Sequence, residues 1–168
     1  KNLGWIFRAL NDELRTRGLI GDTFSFVDAT GIVTKTALWE ERDRALAQGE
    51  AALNNRNVTH FAADTQARFG TKGTHKFWFG YKRNHCVDMK QGLVTKVAVT
   101  PANVLDDQAA KHVTPKTGMA FEDKGYDTPT GRQALAAKGI HAGIIRKNNA
   151  MDTNHDLDAW ISKLRMPF

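Results

Sequence analysis

Apolar and polar positions along the chain follow two periods, one typical of helices and one typical of strands. Leu3, Phe7, Leu10 and Leu14 recur at helical spacing, and Gly18 ends the helix that they predict. Runs rich in strand-forming residues predict strands at 24–30, 76–87, 93–100, 119–123 and 140–146. Helix-forming patterns predict further helices at 38–53, 106–113 and 129–138 and around Leu157–Leu164. Polar, irregular residues 54–73 indicate a surface insertion, and the order of elements predicts a mixed α/β sheet.

Composition and charge narrow the class of protein. The 168 residues are 41% hydrophobic and 25% charged, as is typical of one globular domain. Lys and Arg number 24 against 18 Asp and Glu, and the net charge of +6 favours a polyanionic partner such as nucleic acid, although many basic proteins have none. The single Cys86 excludes an internal disulfide and is predicted to be a buried strand thiol. No apolar run approaches the ~20 residues that span a bilayer.

Two predicted strands end with an aromatic residue, one further residue and an aspartate. Because side chains alternate along a strand, Asp28 shares a face with Phe26, and Asp123 shares one with Phe121. Glu122 points to the opposite face and is the weaker candidate. If the two strands are neighbours, the two aspartates repel each other unless a hard divalent cation neutralises them. Mg²⁺ or Mn²⁺ held in this way can orient a phosphodiester and activate water.

The same residues also fit a structural interpretation. An aspartate after a strand is a common turn or cap residue, and the pattern alone leaves this open for Asp28 and Asp123. Asp88, which begins the predicted hairpin turn, and Asp106, which is predicted to cap a helix, are rival acids of the same kind. Tyr126 is interpreted as a packing aromatic.

Four stretches resemble, in this order, the catalytic core of bacterial insertion-sequence transposases of the DDE class: FVDAT, ADTQARFGTKGTHKFWFGYKRNHCVD, GLVTKVAVTPANVLDDQ and FEDKGYDTPTGRQALAAKGIHAGIIRK. The resemblance covers about Phe24 to Lys147 and implies an α/β ribonuclease H-like mixed sheet flanked by helices, with an insertion after the first strand. On this basis, residues 1–20 are interpreted as an N-terminal helix left from an upstream region. Residues 21–168 are interpreted as the catalytic domain without its C-terminal end, so that both ends are expected to be truncated.

The resemblance also implies the chemistry. Asp28 and Asp123 match the family's first two catalytic acids and would bind Mg²⁺ or Mn²⁺, with two ions expected in the complete site. The third acid is a glutamate in the pattern Tyr-x-x-Arg-x-x-x-Glu, in which Arg165 fits the arginine and Ser162 stands at the tyrosine. The glutamate then falls one place beyond Phe168, so the chain as given is expected to be inactive. The late acids outside this pattern are Asp152, Asp156 and Asp158.

The implied partner is double-stranded DNA, both the transposon ends and the target, bound by a homodimer or higher oligomer in the bacterial cytoplasm at the nucleoid, with no membrane. Water would hydrolyse the phosphodiester at an element's end, and the freed 3′-hydroxyl would attack the target. The residues predicted to bind DNA are Lys72, Lys76, Lys82, Lys124, Arg146 and Lys147. A solvated strand face accounts equally well for the first three. Alternative functions are a catalytically dead or repurposed DNA-binding fragment and a ribonuclease H-like nuclease.

Overall fold

The structure is a computed structural model that describes residues 3–37, 39–151 and 154–166. Its elements are, in chain order, α1 (Leu3–Thr16), β1 (Phe24–Val33), α2 (Trp39–Ala47), α3 (Val58–Phe61), β2 (Arg68–Lys72), β3 (Lys76–Asp88), β4 (Leu93–Pro101), α4 (Asp106–Val113), β5 (Met119–Glu122), α5 (Pro129–Ala136), β6 (His141–Ile144) and α6 (His155–Arg165). Hydrogen bonds order the strands β2-β3-β1-β5-β6, and β4 pairs with β3. This mixed sheet with helices confirms the predicted fold class, which is consistent with a ribonuclease H-like fold.

Tertiary contacts divide the chain into two compact units. Unit 1 comprises the described residues of Lys1–Asp28, Asn84–Ala98 and Asp106–Phe168. Unit 2 comprises the described residues of Ala29–Arg83 and Val99–Leu105. The helices α4, α5 and α6, the strands β5 and β6 and both aspartates predicted to be catalytic therefore belong to unit 1.

Consecutive strand residues of unit 1 enter different hydrophobic cores. The first core contains Val27, Cys86, Ala120 and Ile144, together with residues of α4 and α5. The second contains their direct neighbours Phe26, Val87, Phe121 and Ile145, together with Ile161 of α6. This is the two-residue period of a strand, and it shows that both faces of the sheet are covered. Cys86 is buried and free, as predicted.

The prediction of an irregular insertion at 54–73 was wrong. The segment contains α3, whose Val58 is fully buried, and β2, which pairs with β3 in antiparallel register. Gly80 of β3 has φ 148°, and a Cβ atom there would lie 2.0 Å from the Ile32 carbonyl oxygen. Only glycine fits this close backbone approach. β2 pairs with β3, which follows it in a hairpin, and the local pattern of residues 54–73 does not reveal this pairing.

The predicted helix at 38–53 was too long. Helix α2 ends at Ala47, and Gly49 follows with φ 81°, a conformation that favours glycine at a helix end. Leu38 and Asp152, which carried parts of the sequence predictions, lie outside the described residues. Within the described ranges, none of the helices has the length and apolar character needed to cross a membrane.

Candidate active site

Asp28 and Asp123 follow paired positions on neighbouring parallel strands. In the register between β1 and β5, Phe26 lies opposite Phe121 and Val27 lies opposite Glu122. Asp28, which lies within β1, and Asp123, which directly follows β5, are the next residues after the last paired positions, and both are half-buried. The register therefore brings the two predicted acids to the same edge of the β1–β5 pair, although their role as catalytic residues stays a prediction.

Asp123 also organises the turn that follows β5. Its Oδ1 atom accepts a hydrogen bond of 2.8 Å from the Gly125 N–H and thereby caps a short 3-10 turn at Lys124–Tyr126. The exposed Lys124 donates from Nζ to Asn148 Oδ1 at 2.6 Å. The structural interpretation of Asp123 is thus correct for one carboxylate oxygen, and it does not exclude a second role at the strand edge.

A side chain at Gly125 would come close to two carboxylates. An ideal Cβ atom at this position would lie 3.0 Å from Asp123 Oδ1 and 3.5 Å from Asp106 Oδ2. Carboxylate oxygens are the donors that Mg²⁺ and Mn²⁺ prefer, so the donor chemistry of this edge fits the implied cation, with Asp28 and Asp123 as candidate ligands. Among the described residues, no three His, Cys, Asp or Glu side chains form a complete cation-binding group.

Asp106, one of the two rival acids, also lies in this neighbourhood. It is the first residue of α4 and was interpreted as a helix cap. The next residue, Asp107, accepts a 2.7 Å hydrogen bond from the Thr128 hydroxyl, which ties α4 to the start of α5. The sequence offers no signal that separates Asp106 from an ordinary acid of the first turn, because acids are favoured there by the helix dipole.

Tyr126 is fully buried in the first core, which confirms it as a packing aromatic. Its hydroxyl has no hydrogen-bond partner among the described residues. Burial, followed by the negative charges of Asp106, Glu122, Asp123 and Asp28, raises the pKa of the phenol far above its ordinary value. The hydroxyl therefore keeps its proton and acts only as a neutral donor or acceptor.

Asp127 organises the basic residues that follow β6. Its carboxylate accepts hydrogen bonds from Arg132 Nη2 at 2.6 Å and from the Lys147 N–H at 2.9 Å, and it lies 3.4 Å from Arg146 Nε. Partial burial opposes ionisation, but these hydrogen bonds and the charges of the two arginines outweigh it and lower the pKa of Asp127. Arg146 and Lys147 are thereby held at the end of β6, the strand next to β5.

Unit 2 contains the other three lysines that were predicted to bind DNA. Lys72 and Lys76 are exposed and lie opposite each other in the β2–β3 hairpin. Lys82 is half-buried and donates from Nζ to the Val104 carbonyl at 2.9 Å. The two hairpin lysines are therefore the more accessible members of this group.

The rival acid Asp88 has the predicted turn role. Only 1% of it is exposed, and its Oδ1 atom accepts hydrogen bonds from the N–H groups of Gly21 and Asp22 at 3.1 and 2.9 Å. Its Oδ2 atom accepts from the Lys90 N–H at 3.1 Å. Three backbone donors occupy both carboxylate oxygens, which removes Asp88 from the candidate ligands.

Comparison with known proteins identifies the family of the chain. The chain is 28% identical over 174 residues to the transposase for insertion sequence element IS1106 of Neisseria meningitidis serogroup B, and the alignment covers 97% of this chain but 58% of that protein. No solved structure matches the chain. Residues 20–162 match the family described as the transposase DDE domain, and the chain therefore belongs to that family.

Proposed function

We propose that this chain contains the first two catalytic acids of an insertion-sequence transposase that cleaves DNA at the element's ends and joins them to a target. The proposal depends mainly on the β1–β5 register, in which Asp28 and Asp123 follow directly paired residues. A bound Mg²⁺ or Mn²⁺ would supply Lewis-acid activation of water and neutralise charge at the phosphate. The protein would hold the two carboxylates close together and orient the DNA strand against them.

Three of the predicted DNA-binding residues support a phosphate-binding role at the same sheet edge. Lys124 directly follows Asp123, and Arg146 and Lys147 follow the neighbouring parallel strand β6. Asp127 holds the backbone of Lys147 and lies beside Arg146 Nε, which restricts where the guanidinium can point. Cations held in this way neutralise phosphates and orient a strand against the two acids.

The position of helix α6 supports the expectation that a third catalytic acid lies in the segment after this helix. Phe26 and Phe121 have the same strand parity as Asp28 and Asp123, and both pack in the core that contains Ile161 of α6. The helix that precedes the expected glutamate therefore covers the face assigned to the two aspartates. The alignment that places the expected glutamate beyond Phe168 depends on Arg165. The side chain of Arg165 is not among those that the structure describes.

Cleavage should depend strictly on a divalent cation. A form of the protein extended to include the expected glutamate should convert a supercoiled plasmid carrying the element's ends to nicked circles with Mg²⁺ or Mn²⁺, and EDTA should stop the reaction. Agarose gels measure the conversion. Nicking that continues in EDTA would contradict the proposal. Binding without nicking in Mn²⁺ would favour the dead-fragment alternative, and preferential cleavage of an RNA–DNA hybrid would favour the nuclease.

Binding to DNA should weaken as salt rises, and the hairpin lysines should account for part of this dependence. Like charges that lie opposite each other on two strands destabilise a hairpin, and a bound polyanion relieves this cost. Replacing Lys72 and Lys76 together by alanine should reduce the slope of log affinity against log salt by about 2, since each phosphate contact contributes about 0.9. Fluorescence anisotropy with a labelled duplex measures the slope.

The control for this experiment removes two other exposed lysines, Lys111 and Lys116, and changes the net charge by the same amount. This control should keep most of the wild-type slope. Equal slopes for both double variants would show that only the net charge matters and would remove the hairpin from the DNA-binding surface.

A further inference from the structure

The hydroxyl of Tyr126 is a buried polar group that has no role in the proposed reaction. Its ring packs in the first core with Val27 of β1 and Leu135 of α5. The position of the hydroxyl is therefore restricted by these two elements and by the turn at Lys124–Tyr126. Buried hydroxyls in proteins nearly always have a hydrogen-bond partner, and Tyr126 has none among the described residues. Helix α4, which begins at Asp106, packs against the short turn that contains Tyr126, and Ala110 and Val113 of α4 share the first core with its ring.

Asp106, the first residue of α4, lies close to Gly125, the residue that precedes Tyr126. The bond between Thr128 and Asp107 anchors the first turn of that helix, which keeps the preceding residue in a defined position. The Cβ position at Gly125 lies within 3.5 Å of both Asp106 Oδ2 and Asp123 Oδ1. Gly125 is thus bordered both by a predicted cation ligand and by an acid that the family pattern does not include in the site.

We propose that Asp106 is a positioning residue of the cation site and that the Tyr126 hydroxyl holds its carboxylate by donating a hydrogen bond to it when the cation is bound. This inference rests on the proposed function, because it requires a cation at Asp28 and Asp123. With a cation bound at Asp28 and Asp123, the Asp106 carboxylate would add negative charge beside these ligands and help to hold them in position. Groups that orient a metal's immediate ligands typically change metal affinity 10- to 100-fold.

The competing interpretation is purely structural. Asp106 would then only stabilise the start of α4, and Tyr126 would only pack in the hydrophobic core. The two interpretations differ in what they predict for the metal-free protein. A structural role predicts lower melting temperatures without cation, whereas a positioning role predicts weaker cation binding by a protein whose metal-free stability is unchanged.

The test titrates the protein, extended to include the expected glutamate, with Mn²⁺ and follows the free ion by electron paramagnetic resonance, while circular dichroism gives the melting temperature without metal. Asp106→Asn should weaken Mn²⁺ binding about tenfold. Asp106→Ser, which keeps a good helix-start residue, should weaken it equally. Tyr126→Phe should weaken binding severalfold and leave the metal-free melting temperature equal or higher, because it removes a buried hydroxyl that has no partner. Asp43→Asn, at an exposed acid of α2, is the control and should bind Mn²⁺ as the wild type does.

The outcomes separate the two proposals. If Asp28→Asn and Asp123→Asn abolish Mn²⁺ binding but the Asp106 and Tyr126 variants bind normally, the cation site stands and this inference is overturned. The inference also fails if Asp106→Asn lowers both affinity and metal-free stability and Asp106→Ser restores both. If the extended wild-type protein binds no Mn²⁺, the cation site of the proposed function is overturned and this inference falls with it.

Discussion

Replacing Asp28 or Asp123 by asparagine should lower the rate of DNA strand cleavage by about a thousandfold or more. A cation that activates water and stabilises the transition state is worth several kcal/mol, and each 1.4 kcal/mol is a factor of ten in rate. Asparagine keeps the volume of aspartate but has only one oxygen and no charge, so it is a poor ligand for a hard cation. Plasmid nicking in Mg²⁺ by the extended protein measures the rate.

The same substitutions should leave the fold and DNA binding nearly intact. The asparagine side-chain oxygen at position 123 can still accept the hydrogen bond from the Gly125 N–H, so the turn after β5 is retained. Affinity for a labelled duplex should change less than about twofold, because phosphate contacts to lysine and arginine supply most of it. Asp43→Asn, at an exposed acid, serves as the control for a lost charge. Full cleavage by both the Asp28 and the Asp123 variant would remove these residues from catalysis.

The elements that the sequence predicted well are those whose signals are local. Pro129 predicted the start of α5, and Thr128 caps that helix by accepting a hydrogen bond from the Gly131 N–H. The apolar alternation that ends at Asp28 and Asp123 predicted two strands, and these strands pair in the parallel register that sets the acids beside each other. The alternation of side chains along a strand also predicted that Glu122 and Asp123 point to opposite faces of the sheet. The preceding residues Ala120 and Phe121 do pack in different cores.

The features that the sequence did not predict depend on contacts between separate elements. β2 has five residues and no strong alternation, and it is a strand because β3 supplies its hydrogen bonds. Asp106 looks like an ordinary helix-start residue, and only the fold brings it near Gly125 and Tyr126. Asp127 likewise gains its role from Arg146, which lies far along the chain. Residue type and local period predict elements, whereas the composition of a site depends on which elements meet.

Asp88 provides the second large expected effect, on stability. Replacing it by alanine should lower the free energy of unfolding by about 3 kcal/mol, because three backbone N–H groups lose a buried charged acceptor. Asp88→Asn should cost only about 1 kcal/mol, since its oxygen can still serve Gly21 and Asp22 while its amide group faces the Lys90 N–H. Urea unfolding of the chain measures both values, and Asp156→Asn, at an exposed acid of α6, is the control.

The graded loss between alanine and asparagine is what distinguishes a turn-forming acid from a cation ligand. A ligand would lose its function equally in both variants, because neither keeps the charge, whereas a hydrogen-bond acceptor is partly replaced by the amide oxygen. Mn²⁺ binding should therefore remain unchanged in Asp88→Asn. Weaker Mn²⁺ binding at wild-type stability would return Asp88 to the site and would require a different set of acids from Asp28 and Asp123.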